Sequence, residues 1–170
     1  MLTDGTFFSR IPSLNSLSLA NNQITILNLQ GLSNLNYLNA SSNQINSLLI
    51  DAGAYISFLN VSYNALTQLN ITIQSSLEYL DVSHNKLTNI GSVEQLTNLN
   101  SLFIQNNSLT TIGSVKKLFN NGQGNLLYMN ISCNLPFKCN TLQLDSTSKE
   151  KNFLSHSLCG VNNLPGCVSK

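Results

Sequence analysis

The chain has 170 residues, and Leu, Asn and Ser supply 30, 27 and 23 of them. Charged residues make up 9% of the chain, the formal net charge is +1 and the eight Lys and Arg residues do not cluster, which argues against a nucleic-acid-binding surface. The 42% hydrophobic fraction is too high for a disordered chain. No apolar run approaches the roughly 18 residues of a membrane helix, so we expect no transmembrane segment.

An apolar pattern recurs along the chain. Its first copy, Leu14, Leu17, Leu19, Asn22 and Ile24, has the spacing L-x-x-L-x-L-x-x-N-x-I. The repeated asparagines are Asn22, Asn43, Asn64, Asn85, Asn107 and Asn134, at intervals of 21, 21, 21, 22 and 27 residues. Such regular spacing predicts a solenoid of stacked repeats. A single turn cannot bury its apolar face, whereas stacked turns bury their apolar faces against each other.

Each Leu-x-Leu segment alternates with period two, which predicts a short strand with both Leu side chains on one face. The Asn follows the strand where the chain bends, and its amide can donate to and accept from backbone groups that lack a ladder partner. We therefore predict an asparagine ladder along the solenoid. Repeats of 21 or 22 residues leave room for an extended or 3₁₀ return path with little α-helix.

These spacings resemble the leucine-rich repeat family. The resemblance implies an α/β leucine-rich repeat solenoid over residues 1–137, with parallel strands on its concave face. The first return path carries Phe8, Ile11, Pro12 and Leu14. It is similar to repeats of extracellular proteins of the Toll and Slit type, which implies a secreted protein or a receptor ectodomain.

All four cysteines lie near the C-terminal end: Cys133, Cys139, Cys159 and Cys167. A solenoid end exposes an apolar layer and needs a cap, so we predict a cap over residues 138–170. We favour two disulfides, because the four cysteines lie where the cap is expected. Zinc binding and free thiols are the alternatives, and zinc is disfavoured because neither cysteine pair has the usual zinc-ligand spacing. The four residues allow three pairings.

Phe137, Cys139 and Leu142 resemble the cap of secreted insect leucine-rich immune proteins. That resemblance implies a disulfide-capped C-terminus with the pairs Cys133–Cys159 and Cys139–Cys167, and a role in innate immunity. The chain has no signal peptide after Met1, so we expect a fragment of a longer secreted or membrane-anchored protein. The alternative is an intracellular scaffold or regulatory subunit with free thiols, since Ile90-Gly91-Ser92-Val93 resembles phosphatase-regulating and internalin-like repeats.

The repeat register identifies the residues that face solvent on the predicted sheet. Just before the central apolar residue of each copy stand Ser16, Tyr37, Phe58, Tyr79, Ser101 and Tyr128. Aromatic side chains at neighbouring positions form a row that can anchor a protein or glycan partner, or can merely stabilise the sheet. The predicted ligand-binding residues are Tyr37, Phe58, Tyr79, Phe103, Tyr63, Asp81 and His84. Glu78, Asp81 and His84 are predicted to give the fourth strand of this surface a polar edge.

Five Asn-x-Ser/Thr sequons are candidate glycosylation sites: Asn39, Asn60, Asn70, Asn106 and Asn130. An Asn- and Ser-rich repeat also generates such sequons without any modification. A glycan at Asn39 or Asn60 would crowd the aromatic row, whereas Asn70 lies on a return path.

Catalytic chemistry has little support in the sequence. Ser83, Asp81 and His84 lie close together, but no motif of catalytic spacing is present. We expect a binding protein that is not an enzyme and that uses neither cofactor nor metal.

Overall fold

The computed structural model describes residues 7–71, 76–91, 93–110, 118, 126–131 and 134. These residues form the predicted leucine-rich solenoid of stacked coils. Most of its strands form a six-stranded parallel sheet in the order β1-β3-β5-β6-β7-β8. Its strands are β1 (Ser16–Ser18), β3 (Tyr37–Asn39), β5 (Phe58–Asn60), β6 (Tyr79–Asp81), β7 (Ser101–Phe103) and β8 (Tyr128–Asn130).

The register of this sheet follows the repeat. Leu38 pairs with Leu17 on one side and Leu59 on the other, so equivalent residues stack directly above one another. Each strand buries its central residue and turns its two flanking residues outward. The buried Leu, Ile and Val side chains form one continuous core along the solenoid, as the sequence pattern predicts.

The return path contains more regular structure than the spacing predicts. Strands β2 (Ile26–Leu29) and β4 (Ser47–Ile50) pair in parallel as a second sheet. The two coils have the same length, so their extended return segments lie in register and can hydrogen-bond. Short 3₁₀ turns occur at Phe7–Arg10 and Val93–Gln95.

The asparagine ladder is confirmed. Asn85 accepts a hydrogen bond from the Leu66 N–H at 2.9 Å and donates to the carbonyls of Val61, Val82 and Ser83 at 3.0–3.1 Å. One side chain therefore joins two successive coils. The ladder residues Asn43, Asn64, Asn107 and Asn134 repeat this bridge.

The four cysteines and the predicted cap over 138–170 lie outside the described residues, as do the predicted disulfides. Within the described part of the chain, no helix has the length and apolar character that crossing a bilayer requires.

Candidate binding surface on the concave sheet

The outward face of the six-stranded sheet, which is the concave face expected of a leucine-rich repeat, presents two columns of side chains, one on each side of the buried central residues. The first column contains Ser16, Tyr37, Phe58, Tyr79, Ser101 and Tyr128, and the second contains Ser18, Asn39, Asn60, Asp81, Phe103 and Asn130. Strand alternation places both columns on one surface because successive residues of a strand point to opposite faces. Asp81 is the only charged residue in the two columns.

Tyr37, Phe58 and Tyr79 form the aromatic row at the centre of this face. The Phe58 ring centroid lies 4.5 Å from that of Tyr37 and 4.3 Å from that of Tyr79, with interplanar angles of 11° and 9°. Both faces of the Phe58 ring are therefore covered, and the row presents its ring edges to solvent. Phe103 extends the patch from the second column, with its ring tilted by 42° at 5.5 Å from Tyr79.

The surroundings of the Tyr79 hydroxyl disfavour its ionised form. Burial in the aromatic row raises the pKa of Tyr79 above its usual value of 10.0, and the nearby Asp81 carboxylate and Tyr37 raise it further. A tyrosine of ordinary pKa is already neutral at pH 7, and the raised pKa means that Tyr79 keeps its hydrogen-bond donor into more alkaline solution than a free phenol does.

Asn39, Asn60 and Asp81 are fixed by their own turns. In each case Oδ1 accepts from the backbone N–H of the serine two residues later at 3.0–3.1 Å, and from its hydroxyl at 2.7–2.8 Å. These side chains consequently form a rigid polar column beside the aromatic row. Because Asp81 replaces the asparagine in this pattern, a carboxylate is held beside Tyr79.

A line of residues with left-handed backbone borders the second column. Asn21, Ser42, Tyr63, His84 and Asn106 each have φ between 53° and 59° and directly precede a ladder asparagine. Asparagine tolerates this conformation, whereas a bulky side chain adopts it at a cost of about 1–3 kcal/mol. The sequence signal for this conformation is asparagine at the equivalent positions 21 and 106, which the sequence prediction did not use; Tyr63 alone gives no such signal.

Tyr63 and His84 stack on one another in this line, with ring centroids 3.9 Å apart and an interplanar angle of 10°. The Asn106 Nδ2 lies 3.2 Å from His84 Nε2. Tyr63 is 55% exposed, so the pair forms an accessible edge of the concave face. Its backbone bonds to the next coil, including Tyr63 N–H to Ser83 O at 3.0 Å, hold the strained conformation in place.

The structure thus brings Tyr37, Phe58, Tyr79 and Phe103 into one patch, with Asp81 beside it. Tyr63 and His84 form a separate stacked pair at the edge. The hydroxyl of Ser83 is buried and donates to Asp81 at 2.7 Å. His84 instead contacts Tyr63 and Asn106. Across the described ranges, no cluster of three or more metal-binding side chains occurs.

The predicted glycosylation residues have different surroundings. The Oδ1 atoms of Asn39 and Asn60 are engaged by Ser41 and Ser62 within their own sequons. Asn106 contacts His84, and Asn130 is half-buried in β8. Asn70 is exposed on the return path, away from both concave columns.

Comparisons with known proteins agree with this architecture. A family model described as "Leucine rich repeat" matches residues 2–45, and one described as "Leucine Rich repeats (2 copies)" matches residues 75–117. The fold is also similar to the functional domain of InlJ from Listeria monocytogenes, which includes a cysteine ladder. That likeness has a TM-score of 0.51 and 24% sequence identity, and covers 74% of this chain and 32% of that chain. At this identity the likeness concerns the fold alone, and the chain spans about a third of the length of its neighbour. No curated protein matches the chain.

Proposed function

We propose that this chain, which is built of leucine-rich repeats, is an extracellular recognition module that binds a protein or glycan partner on its concave face. Leucine-rich repeat domains are generally protein-interaction modules. The observation that carries the proposal is the aromatic patch: three stacked rings and a fourth tilted ring on consecutive strands of one open surface.

The patch has the physical properties of a binding anchor. Its rings hold one another in place, so a partner that contacts them loses little additional side-chain entropy. Tyr79 and Asp81 place a hydroxyl donor and a carboxylate beside the apolar area, which suits a partner with mixed apolar and polar character. Tyr63 and His84 supply a second aromatic contact at the edge.

An extracellular location, with a role in innate immunity, rests on the family resemblance of both chain ends. The proposed cap pairs Cys133 with Cys159 and Cys139 with Cys167. A glycan at Asn70 fits this proposal, because that side chain is exposed away from the concave face. Thiol titration of the unfolded, unreduced protein tests the compartment. No free thiol is the expected result, and four free thiols would favour the intracellular scaffold.

Substitution of Phe58 tests the binding surface. The purified chain, immobilised, is exposed to extracellular fluid of the source organism, and retained proteins are identified by mass spectrometry. We expect Phe58→Ala to lose a partner that the wild type retains, because the central ring is removed from the patch. Tyr55→Ala is the matched control, since Tyr55 is an equally aromatic side chain that is 72% exposed outside both concave columns. Equal retention by Phe58→Ala and wild type would refute the concave-face assignment.

A further inference from the structure

The first concave column has an interruption at Ser101. Tyr79 precedes this serine on β6 and Tyr128 follows it on β8, each directly paired with it in the sheet register. Tyr37, Phe58 and Tyr79 are stacked without a break, whereas Tyr128 stands beyond the serine and is 64% exposed. We call the space above Ser101, between Tyr79 and Tyr128, the Ser101 gap.

The gap has the width of one planar group. Adjacent strands lie about 4.8 Å apart, so Tyr79 and Tyr128 are separated by about two strand spacings. Tyr37 and Tyr79 have the same separation, and the Phe58 ring fills it with centroid distances of 4.5 and 4.3 Å. A planar group that enters the Ser101 gap would therefore lie between two tyrosines, with the tilted Phe103 ring beside it.

The remaining surroundings of the gap favour a positive charge. Asp81 lies on β6 two residues after Tyr79, and its carboxylate is fixed by Ser83. Glu78 is exposed immediately before β6. Phe103 stands two residues after Ser101 on the same strand, and its tilted ring contacts Tyr79 at 5.5 Å, so it lies on the side of Tyr79 that faces the gap. Tyrosine and phenylalanine rings attract cations through their faces, and arginine supplies a cation that is also flat.

From this geometry we propose that the Ser101 gap receives an arginine side chain of a protein partner. Its guanidinium would stack between Tyr79 and Tyr128, with its charge toward Asp81. This inference rests on the proposed concave-face function and names the chemistry of the partner at one position. At the other end of the row, above Ser16, a planar group could stack only on the ring of Tyr37. The nearest acidic residue in the two columns is again Asp81.

Titration of the full chain with N-acetyl-arginine amide tests the assignment. Aromatic ¹H–¹³C spectra report the ring signals of Tyr79, Phe103 and Tyr128 directly. We expect these signals to shift, and N-acetyl-lysine amide, which has the same charge without the plane, to bind several-fold more weakly. Equal shifts with both amides, or arginine-induced shifts confined to other rings, would overturn the proposal.

Two substitutions provide a matched pair. Ser101→Tyr fills the gap with a fifth ring and is expected to weaken arginine amide binding by about tenfold or more, since both stacking faces are then occupied. Ser16→Tyr adds the same ring in the same column outside the gap, and is expected to leave binding unchanged. Circular dichroism checks that both variants fold. Equal binding by Ser101→Tyr and wild type would exclude the gap as the site.

The charge contribution is tested separately with Asp81→Asn. Asparagine occupies the equivalent positions 39 and 60, so the turn to Ser83 is retained. The loss of an accessible ion pair is expected to weaken arginine amide binding about two- to fivefold. An unchanged affinity would remove Asp81 from the proposal and contradict the charge argument.

Failure of this inference is distinguishable from failure of the proposed function. If the gap signals respond to methyl glucoside and not to arginine amide, the arginine assignment is wrong. Loss of a captured partner in Phe58→Ala would still support concave-face binding in that case. If arginine amide binds in the gap but no capture depends on Phe58, the gap assignment stands and the proposed recognition function does not.

Discussion

Replacement of Asn85 by Ala is expected to destabilise the solenoid because it removes one step of the asparagine ladder. Asn85 is 6% exposed and joins the coil that contains Val61 and Leu66 to its own coil. All three of its acceptors keep other donors, since Val61 O still accepts from Asn64 Nδ2, Val82 O from Asn107 Nδ2 and Ser83 O from the Tyr63 N–H. The loss of stability therefore arises chiefly from the backbone N–H that donates to Asn85 Oδ1, because it loses its acceptor.

The Leu66 N–H donates to Asn85 Oδ1 at 2.9 Å, and Leu66 is buried. An unsatisfied buried donor costs about 1–3 kcal/mol. The space left by the shortened side chain adds about 1 kcal/mol. We therefore expect Asn85→Ala to lower the free energy of unfolding by about 2–4 kcal/mol, or the melting temperature by roughly 5–15 °C for a chain of this size.

Urea denaturation followed by circular dichroism measures this change. Asn46→Ala is the control, because its exposed side chain should contribute less than about 0.5 kcal/mol. Asn85→Asp should be more destabilising than Asn85→Ala at neutral pH, since its carboxylate would face the carbonyl oxygens of Val61, Val82 and Ser83. A stability of Asn85→Ala within about 0.5 kcal/mol of the wild type would refute the ladder argument.

Four further expectations follow from the described contacts. Phe58→Ala loses both ring stacks and should lower the free energy of unfolding by about 1–3 kcal/mol in urea denaturation; an unchanged midpoint would contradict stabilisation by the row. Ser42→Val should be about 1–3 kcal/mol less stable than Ser42→Gly in the same assay, because φ is 55° there; equal stability would argue against backbone strain. The backbone N–H groups of Gly31 and Gly53 donate to the Asp51 carboxylate and lower its pKa. The stability that the ionised Asp51 contributes is therefore present above pH 3.8 and is lost as the pH falls through its folded-state pKa. Asp51→Asn should make the free energy of unfolding less dependent on pH in this acidic range, and an unaltered dependence would count against this. The pKa of Tyr79 is raised, so the stability contributed by its neutral phenol is complete below pH 10.0 and declines as the pH rises through the folded-state pKa. Tyr79→Phe should remove the phenol that ionises at the highest pH from an ultraviolet titration, and persistence of that phenol would disprove the assignment.

The sequence alone determined the repeat register and much of what depends on it. Period-two alternation around residues such as Leu38 and Leu59 predicts which side chains are buried, and a constant interval predicts that equivalent residues stack. The ladder role of Asn85 follows from the same register. These features are local or repeat with the coil, so they can be read without knowledge of the contacts between coils.

Contacts between coils determine the features that the repeat register does not predict. The β2–β4 sheet depends on two return paths lying within hydrogen-bonding distance, and the left-handed backbone of Tyr63 and His84 depends on N–H bonds to the following coil. The candidate surface shows the same division. Register placed Tyr37, Phe58 and Tyr79 in one row, but only the packed side chains show that Phe58 has both faces covered. The interruption at Ser101 matters because of that packing: the stacked rings of Tyr37, Phe58 and Tyr79 end there, and the next residue of the column is the exposed Tyr128.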